Sequence, residues 1–168
     1  MLHDGLRRAE VVNLRCGDLK AEGYYYVLHV LGKGNKLRKA KIKPQVREAI
    51  AEYLKARSVD PGAPEAAEQP LFTRHAHGRV PWQGRAESGL TGEALRQMLV
   101  KYVRRAGITK RIHPHSLRHT FTTLAIEGGA KIHQVQQALG HADPKTTMRY
   151  FRAYENLEDN ATDYVRLT

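Results

Sequence analysis

His115 and Arg118 stand three residues apart in HPHSLRH (113–119), a further histidine, His141, ends the triplet LGH, and Tyr150 follows nine positions later in HADPKTTMRY. On a helix the first two share a face. A cation that grips an anion, a proton carrier beside it and a hydroxyl nucleophile form the set that phosphoryl transfer requires. An isolated H-x-x-R would read as polar residues on a half-buried helix; the later histidine and tyrosine argue for chemistry. A zinc site built from His113, His115 and His119 is the competing reading. A closed zinc site usually takes four ligands, and Cys16, the only cysteine, is remote. No metal is therefore expected. Arg7 and Glu10, also three apart, fall on one face of a helix predicted over Leu6 to Leu14 and can touch.

Composition narrows the partners. The 168 residues suit one domain, or one domain with a tail. The single cysteine forms no intrachain disulfide and asks for no oxidising compartment. The start MLHDGLRRAE lacks the apolar core of a signal peptide, and no run of eighteen apolar residues occurs. A soluble, cytoplasmic protein without membrane contact is expected. With 28 Lys plus Arg against 17 Asp plus Glu, the formal charge is +11, a field that suits a polyanion. Nucleic acid is the leading partner.

The elements that must position these residues can be read in outline. YYYVLHVLGKGNKLRKAKI, 24 to 42, has β-branched and aromatic residues on both sides of Gly32, Lys33, Gly34 and Asn35, which predicts a β-hairpin. Its turn and second strand carry Lys33, Lys36, Arg38, Lys39 and Lys41. Val46, Ala49, Ile50, Tyr53 and Leu54 make an apolar helix stripe behind Pro44, and SVDPGAPEAAEQP, 58 to 70, reads as a surface loop. A second loop, 73 to 90, holds His75, His77 and Trp82, which match no motif. Leu95, Met98, Leu99, Tyr102 and Val103 mark a helix capped by Thr91 and stopped by Gly107. A helix with Leu117, Phe121, Leu124 and Ala125 ends at Gly128 and Gly129, and one with Ile132, Val135 and Leu139 ends at Gly140. Asp143 and Pro144 look like the start of a last helix containing Tyr150. The fold class is mixed α/β, mainly α, with a small antiparallel sheet.

Taken in order, GLRRAEVVNL, LGKGNKLRKAKI, HPHSLRH and LGHADPKTTMRY resemble the catalytic domain of the tyrosine recombinases, the phage integrase family. The likeness covers nearly the whole chain. It selects Arg7 over its neighbour Arg8 as the first catalytic arginine. It implies Lys33, His115, Arg118 and His141 as further catalytic residues, Tyr150 as nucleophile and Glu10 as the support of the Arg7 region. Arginine forks match the non-bridging oxygens of an attacked phosphodiester. A phenol with a pKa near 10 is about a thousandfold under-ionised at neutral pH, so Tyr150 needs a base, for which His115 is the candidate. Lys33 would protonate the leaving 5′ oxygen and His141 would bond a phosphate oxygen. Lys36, Arg38, Lys39 and Lys41 would meet the DNA backbone, and Tyr154 is the rival nucleophile.

The resemblance implies double-stranded DNA as partner, a 3′-phosphotyrosyl intermediate, no cofactor, and four protomers acting together on DNA from a chain that is mainly monomeric when free. It also implies that a helical DNA-clamping domain and at least one catalytic-domain helix belong ahead of the first arginine, where this chain has six residues. Residues 151–168 form a tail whose Tyr154, Leu157, Ala161, Tyr164 and Val165 fall near a helical stripe, a segment for docking on a neighbouring protomer. Two other readings use the same residues: a non-enzymatic DNA-binding or assembly remnant, and a type IB topoisomerase-like enzyme that needs no partner site.

Overall fold

The computed structural model describes residues 1–32, 34–74 and 88–140. They form α1 (Arg8–Asn13), β1 (Leu19–Glu22), β2 (Tyr25–Leu31), β3 (Leu37–Ile42), α2 (Pro44–Ala56), α3 (Gly92–Arg105), α4 (Pro114–Glu127) and α5 (Ile132–Leu139), with short 3-10 turns at Cys16–Asp18 and Pro64–Ala66. The chain divides into two units, Met1–Phe121 and Thr122–Thr168.

In the first unit the sheet runs β1-β2-β3, antiparallel throughout, with Leu28 opposite both Leu19 and Ala40. The hairpin is where the sequence places it. β1 was not foreseen, because LKAE is short and carries neither β-branched nor aromatic residues. Alternation along β2 and β3 sends Leu28, Val30, Ala40 and Ile42 into the core beside Ile50 and Leu54 of α2, with Leu6 and Leu14 from the segments flanking α1. Gly34 and Asn35 hold positive φ angles of 75° and 60°, the left-handed region that a glycine or asparagine enters at least cost, and this lets the chain reverse. The Gly32 N–H donates to the Lys36 carbonyl at 2.9 Å and closes the turn.

The segment 58–70 is not the free surface loop its composition suggests. Val59 and Ala66 are core residues. The backbone N–H groups of Cys16 and Gly17 each donate at 2.9 Å, to Gln69 and Ala67, and the buried Arg57 donates to the carbonyls of Pro70 and Leu71. Small apolar side chains and available carbonyls dock a stretch that is polar on average.

Thr91 caps α3 by accepting from the Ala94 N–H at 3.1 Å, as expected. On α4 the buried positions are Pro114, Arg118, Thr122 and Ile126, every fourth residue, whereas Leu124 is 55% exposed. The stripe read from Leu117, Phe121 and Leu124 is therefore rotated, because two polar residues occupy the inner face. In the second unit Ile126, Val135 and Leu139 are buried, and α5 ends on Gly140 at φ 59°, the left-handed C-cap that glycine favours. No helix among the described residues is long and apolar enough to cross a membrane.

Candidate active site

Arg7 is the N-cap of α1, with extended backbone angles, and Glu10 is the third helical residue. That spacing lets the Glu10 carboxylate turn back on the cap: Oε2 accepts the Arg7 backbone N–H at 2.6 Å and Oε1 accepts Arg7 Nη1 at 2.8 Å. The helix start thus fixes one edge of the guanidinium, while the Arg7 side chain stays 34% exposed and Glu10 falls to 4%. The adjacent Arg8 points elsewhere. A methyl added to Gly92 would stand 3.1 Å from Arg8 Nε, so that side chain lies over the start of α3.

Glu10 has a second cation. Arg38 Nη2 donates to Glu10 Oε2 at 2.8 Å, and Arg38 is only 11% exposed. Burial pulls the Arg38 pKa down; the Glu10 charge opposes that shift and the Arg7 charge adds to it. Sequence reasoning grouped Arg38 with the lysines of the hairpin, but it does not share their exposure. Lys36, Lys39 and Lys41 are exposed, Lys39 Nζ donating to Glu22 Oε2 at 2.7 Å and Lys41 Nζ lying 3.9 Å from the centre of the Tyr25 ring. The period of two that puts Ala40 and Ile42 in the core turns Arg38 to the same face of the strand, a signal present in the sequence.

Arg118, in the first half of α4, is 5% exposed, and its Nη1 donates to the Gly5 carbonyl. Gly5 precedes Arg7 by two residues, so Arg118 is anchored no more than about 7 Å along the backbone from Arg7. The structure therefore gathers Arg7, Glu10, Arg38 and Arg118 around the start of α1. His115, one turn before Arg118, is exposed. The turn into α4 is set by the His113 N–H donating to Ser116 Oγ at 3.2 Å and the Ser116 N–H donating to the His113 carbonyl at 2.9 Å.

Lys33, His141 and Tyr150 lie outside the described residues, as do His75, His77, Trp82 and the tail after Tyr150. Of their chain neighbours, Gly32 donates its N–H to the Lys36 carbonyl, and Gly140 ends α5. Among the described residues no group of three His, Cys, Asp or Glu could hold a metal ion. A second basic surface was not read from the sequence. Arg96, Arg104, Lys110, Arg111 and His113 line a cleft of about 400 Å³ with Val100 and Val103 in its wall. The residues come from α3 and the connection after it, so no single helical face shows them.

Residues 1–156 match the phage integrase family. The chain is 33% identical over 150 residues to tyrosine recombinase XerD of Lacticaseibacillus casei, covering 89% of this chain and 47% of that protein. It is 37% identical over 146 residues to tyrosine recombinase XerC of Rhodospirillum centenum, covering 87% and 38%. The chain thus spans less than half the length of these relatives. The XerH site-specific recombinase, solved bound to a palindromic difH substrate as a post-cleavage complex, superposes with a TM-score of 0.67 at 28% identity, over 89% of this chain and 38% of that one. A small antiparallel sheet packed with helices agrees with that kinship. The chain belongs to the phage integrase family of tyrosine recombinases.

Proposed function

We propose that the chain is the catalytic part of a site-specific DNA recombinase that cuts and rejoins strands through a 3′-phosphotyrosyl intermediate. The observation that carries this reading is the pair of arginines, Arg7 and Arg118, held at the start of α1 by Glu10 and the Gly5 carbonyl. Guanidinia fixed before substrate arrives meet the charge that develops on the non-bridging oxygens without reorganising. Tyr150 Oη attacks phosphorus, the bond to the 5′ oxygen breaks, His115 takes the phenol proton and Lys33 gives one to the leaving oxygen. His141 bonds a phosphate oxygen. The phosphotyrosyl ester keeps the energy of the broken bond, so a second hydroxyl restores the DNA without ATP.

Exposed Lys36, Lys39 and Lys41, together with the cleft around Arg96 and Arg104, supply backbone contacts. Four protomers assemble on two duplexes, and residues 151–168 dock on a neighbour. The test is incubation with a nicked suicide substrate in EDTA, read on a denaturing gel. The wild-type chain forms a covalent adduct, Tyr150→Phe forms none and Tyr154→Phe retains it. Adduct from the Tyr150 variant would sink the assignment.

A further inference from the structure

Arg38 has no part in the steps just given, yet it is built into the site and not onto the DNA-facing strand surface. Its side chain is 11% exposed where that of Lys39, the next residue, is 58% exposed. Of its three nitrogens, Nη2 reaches Glu10, while Nε and Nη1 are buried with no hydrogen-bond partner among the described residues. Glu10 is therefore its polar anchor, and the same carboxylate holds Arg7 through both backbone and side chain. Two guanidinia sharing one carboxylate leave one net positive charge, which a phosphodiester would neutralise.

The hairpin enters the same arrangement. Arg38 lies two residues after Lys36, whose carbonyl accepts from the Gly32 N–H and closes the hairpin turn. A methyl on Gly32, the residue before Lys33, would sit 3.8 Å from Glu10 Oε1. The carboxylate thus rests against the root of that turn. We infer that Arg38 is a positioning residue: by pulling Glu10 onto the hairpin, it registers the Arg7 guanidinium on α1 against the turn that carries Lys33. The inference rests on the recombinase reading, in which Arg7 clamps the phosphate and Lys33 protonates the leaving oxygen. Arg38 itself touches no substrate, because its free edge is buried.

The test uses the whole chain and single-turnover cleavage of a suicide duplex at saturating DNA. Arg38→Met keeps the stem and removes the charge. It should slow cleavage about 10- to 100-fold, the effect of a small misplacement at a reacting centre, with DNA affinity held within about threefold. Arg38→Lys should recover part of the rate. Replacing the 5′ bridging oxygen by sulfur, which leaves as a thiolate without a proton, should restore part of the Arg38→Met loss and none of an Arg7→Ala loss. Arg38→Met combined with Glu10→Gln should cost no more than the worse single variant, since both break one tie. Wild-type cleavage by Arg38→Met would overturn the inference, as would a loss that follows the folded fraction measured by circular dichroism, an absence of sulfur rescue, or multiplying effects in the double variant. If the wild-type chain itself forms no adduct, the recombinase reading fails and takes the inference with it; adduct from wild type beside any of those four results removes the inference alone.

Discussion

Arg118 Nη1 donates to the carbonyl of Gly5, 113 positions earlier in sequence, so a residue on α4 is tied to the backbone that leads into Arg7. The contact is buried, and it sets where the second guanidinium sits relative to the first. Arg118→Ala should cost about 1.5 to 3 kcal/mol of stability, the range for a hydrogen bond to a charged group. It should also lower cleavage by about 10²- to 10³-fold, by analogy with the loss of one oxyanion donor. Arg118→Lys keeps the charge but loses the fork, and should leave DNA affinity near wild type while cleavage stays low. Urea midpoints, filter binding and adduct formation separate the three effects. Equal losses of affinity and cleavage would mean that Arg118 only holds the DNA backbone.

Glu10 and Glu68 each accept from an arginine at 2.8 and 2.7 Å, but the first side chain is 4% exposed and the second 85%. Burial decides the outcome. Glu10→Ala strands the buried Arg38 and should cost about 3 to 5 kcal/mol. Glu68→Ala opens a solvated pair with Arg15 and should cost under about 1 kcal/mol, less still in high salt. Denaturant titrations at low and high ionic strength would show the contrast.

Much of this was legible from residue spacing, and the failures have physical causes. The hairpin turn, the Thr91 cap and the glycine stops announce themselves through backbone chemistry that few other residues supply. The Arg7 to Glu10 contact follows from three-residue spacing at a helix start. The low exposure of Arg38 was missed because a charged residue in a basic strand was read by its charge and not by its parity with Ala40 and Ile42. On α4, hydrophobicity misled for the converse reason: Arg118 and Thr122 take the inner face, and no apolar stripe reveals a site whose buried residues are polar. The docking of 58–70 depends on the backbone N–H donors of Cys16 and Gly17, 50 or so residues earlier, which local composition cannot encode.

Cys16 is fully buried, and burial pushes its thiol pKa up, chiefly by desolvation. Because only the thiolate attacks, a raised pKa and closed access act together. At neutral pH the folded chain should react with a disulfide reagent only as fast as it opens, and reaction should become immediate in urea. Gly17→Ala should speed it: the added methyl would lie 2.9 Å from the Ala67 carbonyl oxygen, and the backbone there must shift. Rapid labelling of the native wild-type chain would refute the closed site.

Residues 151–168 place Tyr154, Leu157, Ala161, Tyr164 and Val165 near a helical period, and a stripe that short needs a partner surface. Deleting residues 157–168 should weaken DNA-dependent oligomerisation measured by light scattering, with the circular dichroism of the rest retained. Unchanged assembly on DNA would defeat the docking role.

The hairpin lysines differ in what already compensates them, and DNA binding should register the difference. Lys36 is exposed, whereas Lys39 donates to Glu22 at 2.7 Å and His29 Nε2 lies 2.9 Å from the other carboxylate oxygen. The hydrogen bond from Lys39, then that from His29, holds the Glu22 carboxyl below its ordinary range. A lowered folded pKa keeps Glu22 ionised through neutral pH, so the ion pair persists there and is lost only as the solution is taken below the usual carboxylate range. Each cation that meets a phosphate contributes about 0.9 to the slope of log affinity against log salt. Lys36→Ala should therefore lower the slope by nearly that amount on any DNA sequence. Lys39→Ala should lower it less, because binding must first loosen a lysine from Glu22. Glu22→Gln frees Lys39 and should raise affinity and steepen the slope at neutral pH. Binding isotherms at four salt concentrations, for wild type and these variants, make the comparison. Equal slopes for Lys36→Ala and Lys39→Ala, with no gain from Glu22→Gln, would show that the pair does not restrain Lys39 on DNA.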